Sequence, residues 1–355
     1  MKLRICGGVG EHGRNCFYVE TEDLRFLVDC GIKISDIEDP YPHLNDREIN
    51  KLDAVFLTHS HNDHTGAINF ICDRGFNGDI IASFETLSQI PFQIKNKVTL
   101  ESISKGKRAF YKRAVIDWGR TGHCAGAVWY KFYEKDKSIL FSGDYTENSL
   151  IYECDLLRNI KADFAIIDSA YGKDDTDIYT YRRNIVDKTE EFLKSKNLIA
   201  FPVPKYGRGI EIFKILSDNL KDVDYFGDQI FLNSLEKFKK DKFWHKKIQI
   251  DRDINLYDEN ESGIVFISDA QLKNKISRRT VDKILSMNGT SISTGTVYDG
   301  TYADELVKEG KMYKLRYPVH QNYGEYLKIL KENNFLNSIP YHSKNLNVKK
   351  KDYII

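Results

Sequence analysis

Ala54-Val55-Phe56-Leu57-Thr58-His59-Ser60-His61-Asn62-Asp63-His64 is the stretch on which the fold turns. The four apolar residues read as a buried strand. Directly behind them His59, His61, Asp63 and His64 crowd into one turn. Three imidazoles and a carboxylate at a strand end must be desolvated together, and the imidazoles repel one another once protonated, unless a cation holds them. A turn built for structure alone needs none of these residue types in that density, so the segment reads as part of a metal site.

Working outward, the chain of 355 residues is long enough for a sizeable core and two domains. With 41% hydrophobic and 30% charged residues it has the composition of an ordinary globular protein. A net charge of +1 gives no global field for nucleic acid or an anionic membrane, so any polyanion site has to be a local basic patch. No apolar run reaches the roughly 18 residues a membrane-spanning helix needs, and no membrane partner is expected. The opening Met1-Lys2-Leu3-Arg4-Ile5-Cys6-Gly7-Gly8 meets glycine too early for a signal peptide. Six cysteines are scattered without C-x-x-C spacing, which favours free thiols and a cytoplasmic location over a disulfide framework or a zinc ribbon.

The first 170 or so positions look β-rich. Residues 3–6, 16–20, 25–29, 54–58, 127–133, 138–142 and 164–168 are short apolar runs bounded by turn residues, and 64–73 reads as a helix opening behind the histidine turn. From about Asp174 the texture changes. Residues 179–194 place Ile185, Val186, Thr189, Phe192 and Leu193 on one helical face. Runs 198–203, 208–220, 263–268 and 277–286 then alternate strand and helix, the pattern of βα units on a parallel sheet.

Further ligand types lie far downstream at strand ends or Gly turns. They are His123 in Thr121-Gly122-His123-Cys124-Ala125-Gly126, Asp144 in Phe141-Ser142-Gly143-Asp144, and His342 in Ile339-Pro340-Tyr341-His342. Taken singly, a Gly-Asp after a strand is a turn. Added to the first cluster they make seven ligands, and seven ligands with one shared suit two cations about 3.5–4 Å apart.

With these residues together, the chain resembles the metallo-β-lactamase-fold hydrolases and their H-x-H-x-D-H signature. The resemblance implies an αββα sandwich of the α/β class. It implies that His59, His61 and His123 hold one metal, that Asp63, His64 and His342 hold the other, and that Asp144 bridges both. Asp29, after Phe26-Leu27-Val28, matches the family's early aspartate, which supports the site from behind the ligands. A hydroxide activated by the two metals would be the nucleophile. Imidazole and carboxylate ligands fit zinc best, with manganese as the other candidate.

Three further segments resemble the β-CASP nuclease branch of that fold. Ile166-Ile167-Asp168-Ser169-Ala170-Tyr171-Gly172 is similar to its acidic Ser-Thr-Tyr-Gly motif, Tyr317-Pro318-Val319-His320 to its motif B, and His342 to its motif C histidine. Phe201-Pro202-Val203-Pro204-Lys205-Tyr206-Gly207-Arg208-Gly209 resembles the strand-to-helix Gly-Arg turn of the inserted domain, and Gly7-Gly8-Val9-Gly10-Glu11-His12-Gly13-Arg14-Asn15 the opening of ribonuclease J. Residues 122–127 and 143–144 resemble the cleavage and polyadenylation endonucleases equally well. Pro318-Val319 stands where the family has a pair of small residues, and Ser343 where a Gly often follows motif C.

The expectation is therefore a metallo-β-lactamase domain from residues 1–172, an inserted α/β β-CASP cap from 173–300, and a return of the first domain from 301–355. No C-terminal dimerisation module is expected after His342. The active site is expected in a cleft between domain and cap. Catalysis would fall to Asp63, Asp168 and His320, with His320 as proton donor to the leaving oxygen and Asp168 orienting it. Ser169, Tyr171 and Arg208 are candidate substrate contacts. Lys237-Phe238-Lys239-Lys240 with Lys242-Phe243-Trp244-His245-Lys246-Lys247, and residues 105–113, are candidate nucleic-acid grips, each equally readable as a solvated charged face. RNA is the expected substrate. DNA, distinguished only by the 2′-hydroxyl, and a small-molecule ester or thioester are the rivals.

Overall fold

In the computed structural model, which describes residues 1–35, 38–259, 262–344 and 350–355, the run before the histidine turn is a strand, Ala54–Phe56, with every residue buried. It lies in a seven-stranded sheet with the spatial order Asp352–Ile354, Lys2–Gly7, Cys16–Glu20, Arg25–Val28, Ala54–Phe56, Asp79–Ala82, Lys97–Thr99. The neighbours through Arg25–Val28 pair antiparallel, and from there to Lys97–Thr99 they pair parallel. Parallel neighbours need a crossover. Helix Asp46–Ile49, closed at its start by an Asn45/Glu48 capping box, supplies one of them.

A second seven-stranded sheet runs Asn334–Tyr341, Lys161–Asp168, Lys137–Phe141, Val128–Glu134, Ala114–Arg120, Arg108–Tyr111, Ser104–Lys105. Its first three strands are parallel and the rest antiparallel. Aromatic rings join the two sheets: Phe26 packs on Phe132 at 4.5 Å between centroids, Phe56 on Phe132 at 5.0 Å and Phe17 on Phe141 at 5.6 Å. On the far face of the first sheet Leu27, Val55 and Ile80 pack with Ile49, Ile68 and Ile71 from helices. On the far face of the second, Leu140, Ala165 and Ile167 pack with Tyr326 and Ile329 of helix Tyr323–Glu332. This is the αββα sandwich expected from the sequence.

The helix expected over 64–73 is two short helices, Asn62–Thr65 and Ile68–Asp73. The break has a backbone cause: the Ala67 N–H bonds to Cys30 O at 2.9 Å, at the end of a neighbouring strand, instead of continuing the helical ladder.

The chain divides into two compact units. One comprises Met1–Asn148, Glu153–Asp175 and His320–Ile355, and holds the sandwich; the other comprises Ser149–Tyr152 and Thr176–Val319. The second unit carries a wholly parallel six-stranded sheet in the order Asn255–Leu256, Tyr225–Gly227, Gly263–Ile267, Leu198–Pro202, Thr290–Ser293, Met312–Lys314. Its inner strands Leu198–Pro202 and Gly263–Ile267 are buried throughout, as expected where helices cover both faces. It extends beyond residue 300 because Met312–Lys314 pairs with Thr290–Ser293 and Tyr317 N bonds to Thr294 O. Among the described residues no helix is long and apolar enough to cross a membrane.

Candidate active site

The site is assembled where strands of the first unit end. Asp29 follows Arg25–Val28 and takes a left-handed backbone, φ +61, a conformation that aspartate tolerates better than most residues. Its carboxylate accepts from Thr58 N at 2.8 Å and from His64 Nδ1 at 2.7 Å. That bond leaves His64 Nε2 facing inward. The histidine turn is held backbone to backbone: Asn15 N donates to Asp63 O, Cys30 N to His64 O and Ile32 N to Asn62 O. Gly31 makes the approach possible, since a Cβ there would lie 1.6 Å from Asp63 O.

The second sheet brings the rest. Val128 N donates to Thr58 O, which draws the 121–127 loop and His123 against the histidine turn. Asp144 follows Gly143, whose φ of +56 and missing side chain suit a position where a Cβ would meet Val128 O at 2.8 Å. Asp168 is the last residue of its strand. His342 leaves Asn334–Tyr341 with φ +69, its N–H bonded to Gly8 O.

Two groups of donor atoms, each within 4.8 Å, take in the histidine turn: His59, His61, His123 with Asp144, and Asp63, His64, His342 with Asp144; a third, Asp144, Asp168, His320 and His342, meets the same limit. Asp144 Oδ2 lies 3.5 Å from His59 Nε2 and 3.6 Å from His123 Nε2. Asp144 Oδ1 lies 3.2 Å from both His64 Nε2 and His342 Nδ1. His342 Nε2 is 3.0 Å from Asp63 Oδ2, and His123 Nε2 is 3.1 Å from His61 Nδ1. Ligands about 2.0–2.1 Å from a tetrahedral ion stand about 3.3 Å apart, the spacing seen here. His59 Nε2 is fully buried and has no hydrogen-bond partner among the described residues. Such an atom is costly unless something coordinates it. The donor set therefore fits divalent cations.

Charge follows the same logic. Burial holds the His59 imidazole well below its usual range. Burial opposes charge on His64 and His342 too. Asp144, Asp29 and Asp63 outweigh it and raise His64 well above the usual range, and Asp144 and Asp63 push His342 up to about 10. Burial would raise Asp144, but His64, His342 and His320 keep its carboxyl well below the carboxylate range. Without a cation, protons on imidazoles neutralise the buried carboxylates.

Beside the two groups, His320 Nδ1 is 2.8 Å from Asp168 Oδ2, and His320 Nε2 is 3.9 Å from Asp144 Oδ2. Asp168 is fully buried and accepts from Tyr145 N and Ala170 N, which fixes its carboxylate. The Tyr171 ring stands edge-on to His320 at 5.2 Å. The Ser169 hydroxyl donates to Tyr341 O at 2.8 Å, tying two strand ends together. Arg208 belongs to the second unit, where its guanidinium donates to the carbonyls of Thr294 and Tyr317.

The two basic stretches are less available than their sequence suggests. In the 105–113 stretch, Lys107, Arg108, Lys112 and Arg113 pair with Asp155, Asp117, Asp53 and Asp23. In the other, Phe238 and Trp244 are buried in the second unit instead of offering stacking faces. Residues the sequence reading did not single out also reach the site. Tyr341 donates to Asp144 Oδ1 at 2.9 Å, the His12 ring stacks on His342 at 4.3 Å, and Asn15 Nδ2 lies 2.8 Å from His64 Nε2.

A metallo-beta-lactamase superfamily profile matches residues 9–195, and the chain belongs to that superfamily. The chain is 25% identical to the transcription termination factor FttA of Methanothermobacter thermautotrophicus, over 62% of this chain and 40% of that protein. It is 26% identical to the probable RNase MJ4 of Methanocaldococcus jannaschii, over 64% and 59%, and 22% identical to the endoribonuclease YSH1 of Candida albicans, over 86% and 42%. It thus spans about two fifths to three fifths of these relatives. A crystal structure of a protein of unknown function from Enterococcus faecalis matches the whole chain with a TM-score of 0.66 at 13% identity, a likeness of fold.

Proposed function

We propose that this chain is a metal-dependent nuclease of the β-CASP branch that hydrolyses phosphodiester bonds of RNA. The observation that carries the reading is Asp144, which presents Oδ2 to one histidine group and Oδ1 to the other, with the His320–Asp168 pair beside it. His59, His61, His123 and Asp144 would hold one cation and Asp63, His64, His342 and Asp144 the other. Imidazole and carboxylate donors without thiolate favour zinc, with manganese second. Bound there, two dications would supply positive charge to a phosphoryl transition state and acidify water at neutral pH.

The chain's own residues complete the chemistry. Asp168 accepts from His320 Nδ1 and orients the ring so that Nε2 faces the cluster, where His320 carrying its second proton would pass it to the departing oxygen. Tyr171, edge-on to His320, restricts that ring and offers a surface to substrate. In this reading the second unit is the inserted cap. The relatives named RNase and endoribonuclease support RNA as the polymer. Six free thiols agree with a reducing, cytoplasmic setting.

The test is cleavage of 5′- and 3′-labelled RNA beside DNA of the same sequence, with Zn²⁺ or Mn²⁺, by wild type, Asp63→Ala and His320→Ala. RNA cleavage by wild type that falls about 100-fold or more in either variant is expected. Metal-loaded protein that cuts neither polymer would sink the reading. DNA cut in preference to RNA would move it to a DNA nuclease, and fast turnover of an ester or thioester to a small-molecule hydrolase.

A further inference from the structure

Tyr341 is the last residue of its strand, 3% exposed, and its backbone is pinned in register opposite Asp168. Its carbonyl accepts from both Ser169 N and Ser169 Oγ. Its ring stands edge-on to Phe17 at 5.6 Å and stacks beside His342 at 5.7 Å. The phenol oxygen is therefore fixed by strand and core, and from that position it donates to Asp144 Oδ1 at 2.9 Å. Neighbouring residues of a strand normally face opposite ways. Tyr341 and His342 both reach the cluster because the chain turns to φ +69 at His342.

The contact is one-sided. Among the described residues, Tyr341 provides the one hydrogen bond from a non-histidine side chain to the Asp144 carboxylate. Oδ2 instead faces His59, His123 and, at 3.9 Å, His320. A carboxylate held only by its ligand contacts can rotate about its Cβ–Cγ bond, away from the plane that gives one oxygen to each group. A fixed donor on one oxygen removes that freedom.

We infer that the Tyr341 hydroxyl holds the Asp144 carboxylate in the plane that turns one oxygen toward the Asp63/His64/His342 position and the other toward the His59/His61/His123 position. Tyr341 is a positioning residue for the Asp63/His64/His342 position. The inference rests on the two-cation reading above. It adds that one phenol fixes the plane of the shared ligand.

The experiment is titration of the metal-free protein with Zn²⁺ against a chromophoric chelator and with Co²⁺ followed by visible absorption, for wild type, Tyr341→Phe, Phe17→Leu and Asp63→Ala. Tyr341→Phe keeps the ring and its packing, and its melting temperature without metal should stay within about 3 °C of wild type. Expected are two cations per chain in wild type. In Tyr341→Phe the cation whose binding Asp63→Ala abolishes should lose about 10- to 100-fold in affinity, with the other changed by less than about threefold. Phe17→Leu, which disturbs the ring packing and leaves the hydroxyl, should keep both. Unchanged affinities in Tyr341→Phe, equal loss of both cations, or the same loss in Phe17→Leu would overturn the Tyr341 assignment and leave the nuclease reading standing. Fewer than two cations in wild type would overturn the two-cation site and the Tyr341 assignment together.

Discussion

At the scale of single residues, the site depends on groups that aim its ligands as much as on the ligands. Asp29 shows this most directly. Its carboxylate accepts from His64 Nδ1 and twice from Thr58, once from N–H and once from the hydroxyl. In Asp29→Asn an amide NH₂ must face either His64 Nδ1 or Thr58, and one of the bonds is lost. The expected outcome is a 10- to 100-fold loss in affinity for the cation His64 would hold, read as metal content after dialysis, with about 1–3 kcal/mol lost from stability. The residues singled out in the sequence for the metal groups, and Asp168 and His320, do meet in space. They were legible because clustered His and Asp at strand ends have few structural explanations. Tyr341, His12 and Asn15 were not. A tyrosine ending an apolar strand reads as core, and only the backbone turn at His342 brings its hydroxyl to Asp144.

At the scale of elements, the site residues other than His123, which follows the antiparallel strand Ala114–Arg120, and His320, just before helix Tyr323–Glu332, sit at the carboxyl ends of strands that are parallel to a neighbour: Arg25–Val28, Ala54–Phe56, Lys137–Phe141, Lys161–Asp168 and Asn334–Tyr341. Such ends leave the sheet on one side, so short loops converge there. Short apolar runs bounded by turn residues foretold these strands. What the runs could not show was how closely the loops pack. Gly31 carries no motif, yet its Cα lies where a methyl would stand 1.6 Å from Asp63 O. Gly31→Ala must push the 61–64 turn away from the 29–32 loop, breaking bonds such as Cys30 N to His64 O. The expected cost is about 2–4 kcal/mol by urea denaturation, together with loss of cation binding at the Asp63/His64 position. A variant that binds two cations as wild type does would show that the turn can relax without consequence. The basic stretches teach the converse. Charge runs are visible in sequence, but their partners, such as Asp117 for Arg108, come from other strands and are not.

At the scale of the whole molecule, each unit has its own core. Leu27, Val55 and Ile80 belong to one cluster and Leu198, Val265 and Ile292 lie buried in the other unit. The change to alternating strands and helices near Asp174 was readable because parallel sheets need helical crossovers. The far edge of that unit was not, because Met312–Lys314 is a short strand with two exposed residues and little apolar pattern. Separate cores lead to a thermodynamic expectation. Ligands that bind only the folded first unit stabilise it by mass action, by about 2.7 kcal/mol at a free concentration 100 times the dissociation constant. For a unit of this size that raises the melting temperature by about 5–10 °C. Calorimetry should therefore resolve two transitions, with Zn²⁺ raising one and a chelator returning it, while the other stays in place. Asp63→Ala should shrink that shift, since it removes a donor from one of the two groups. A single transition that moves as a whole would show that the units unfold together, and a zinc shift undiminished in Asp63→Ala would place the stabilising ion away from the Asp63/His64/His342 group.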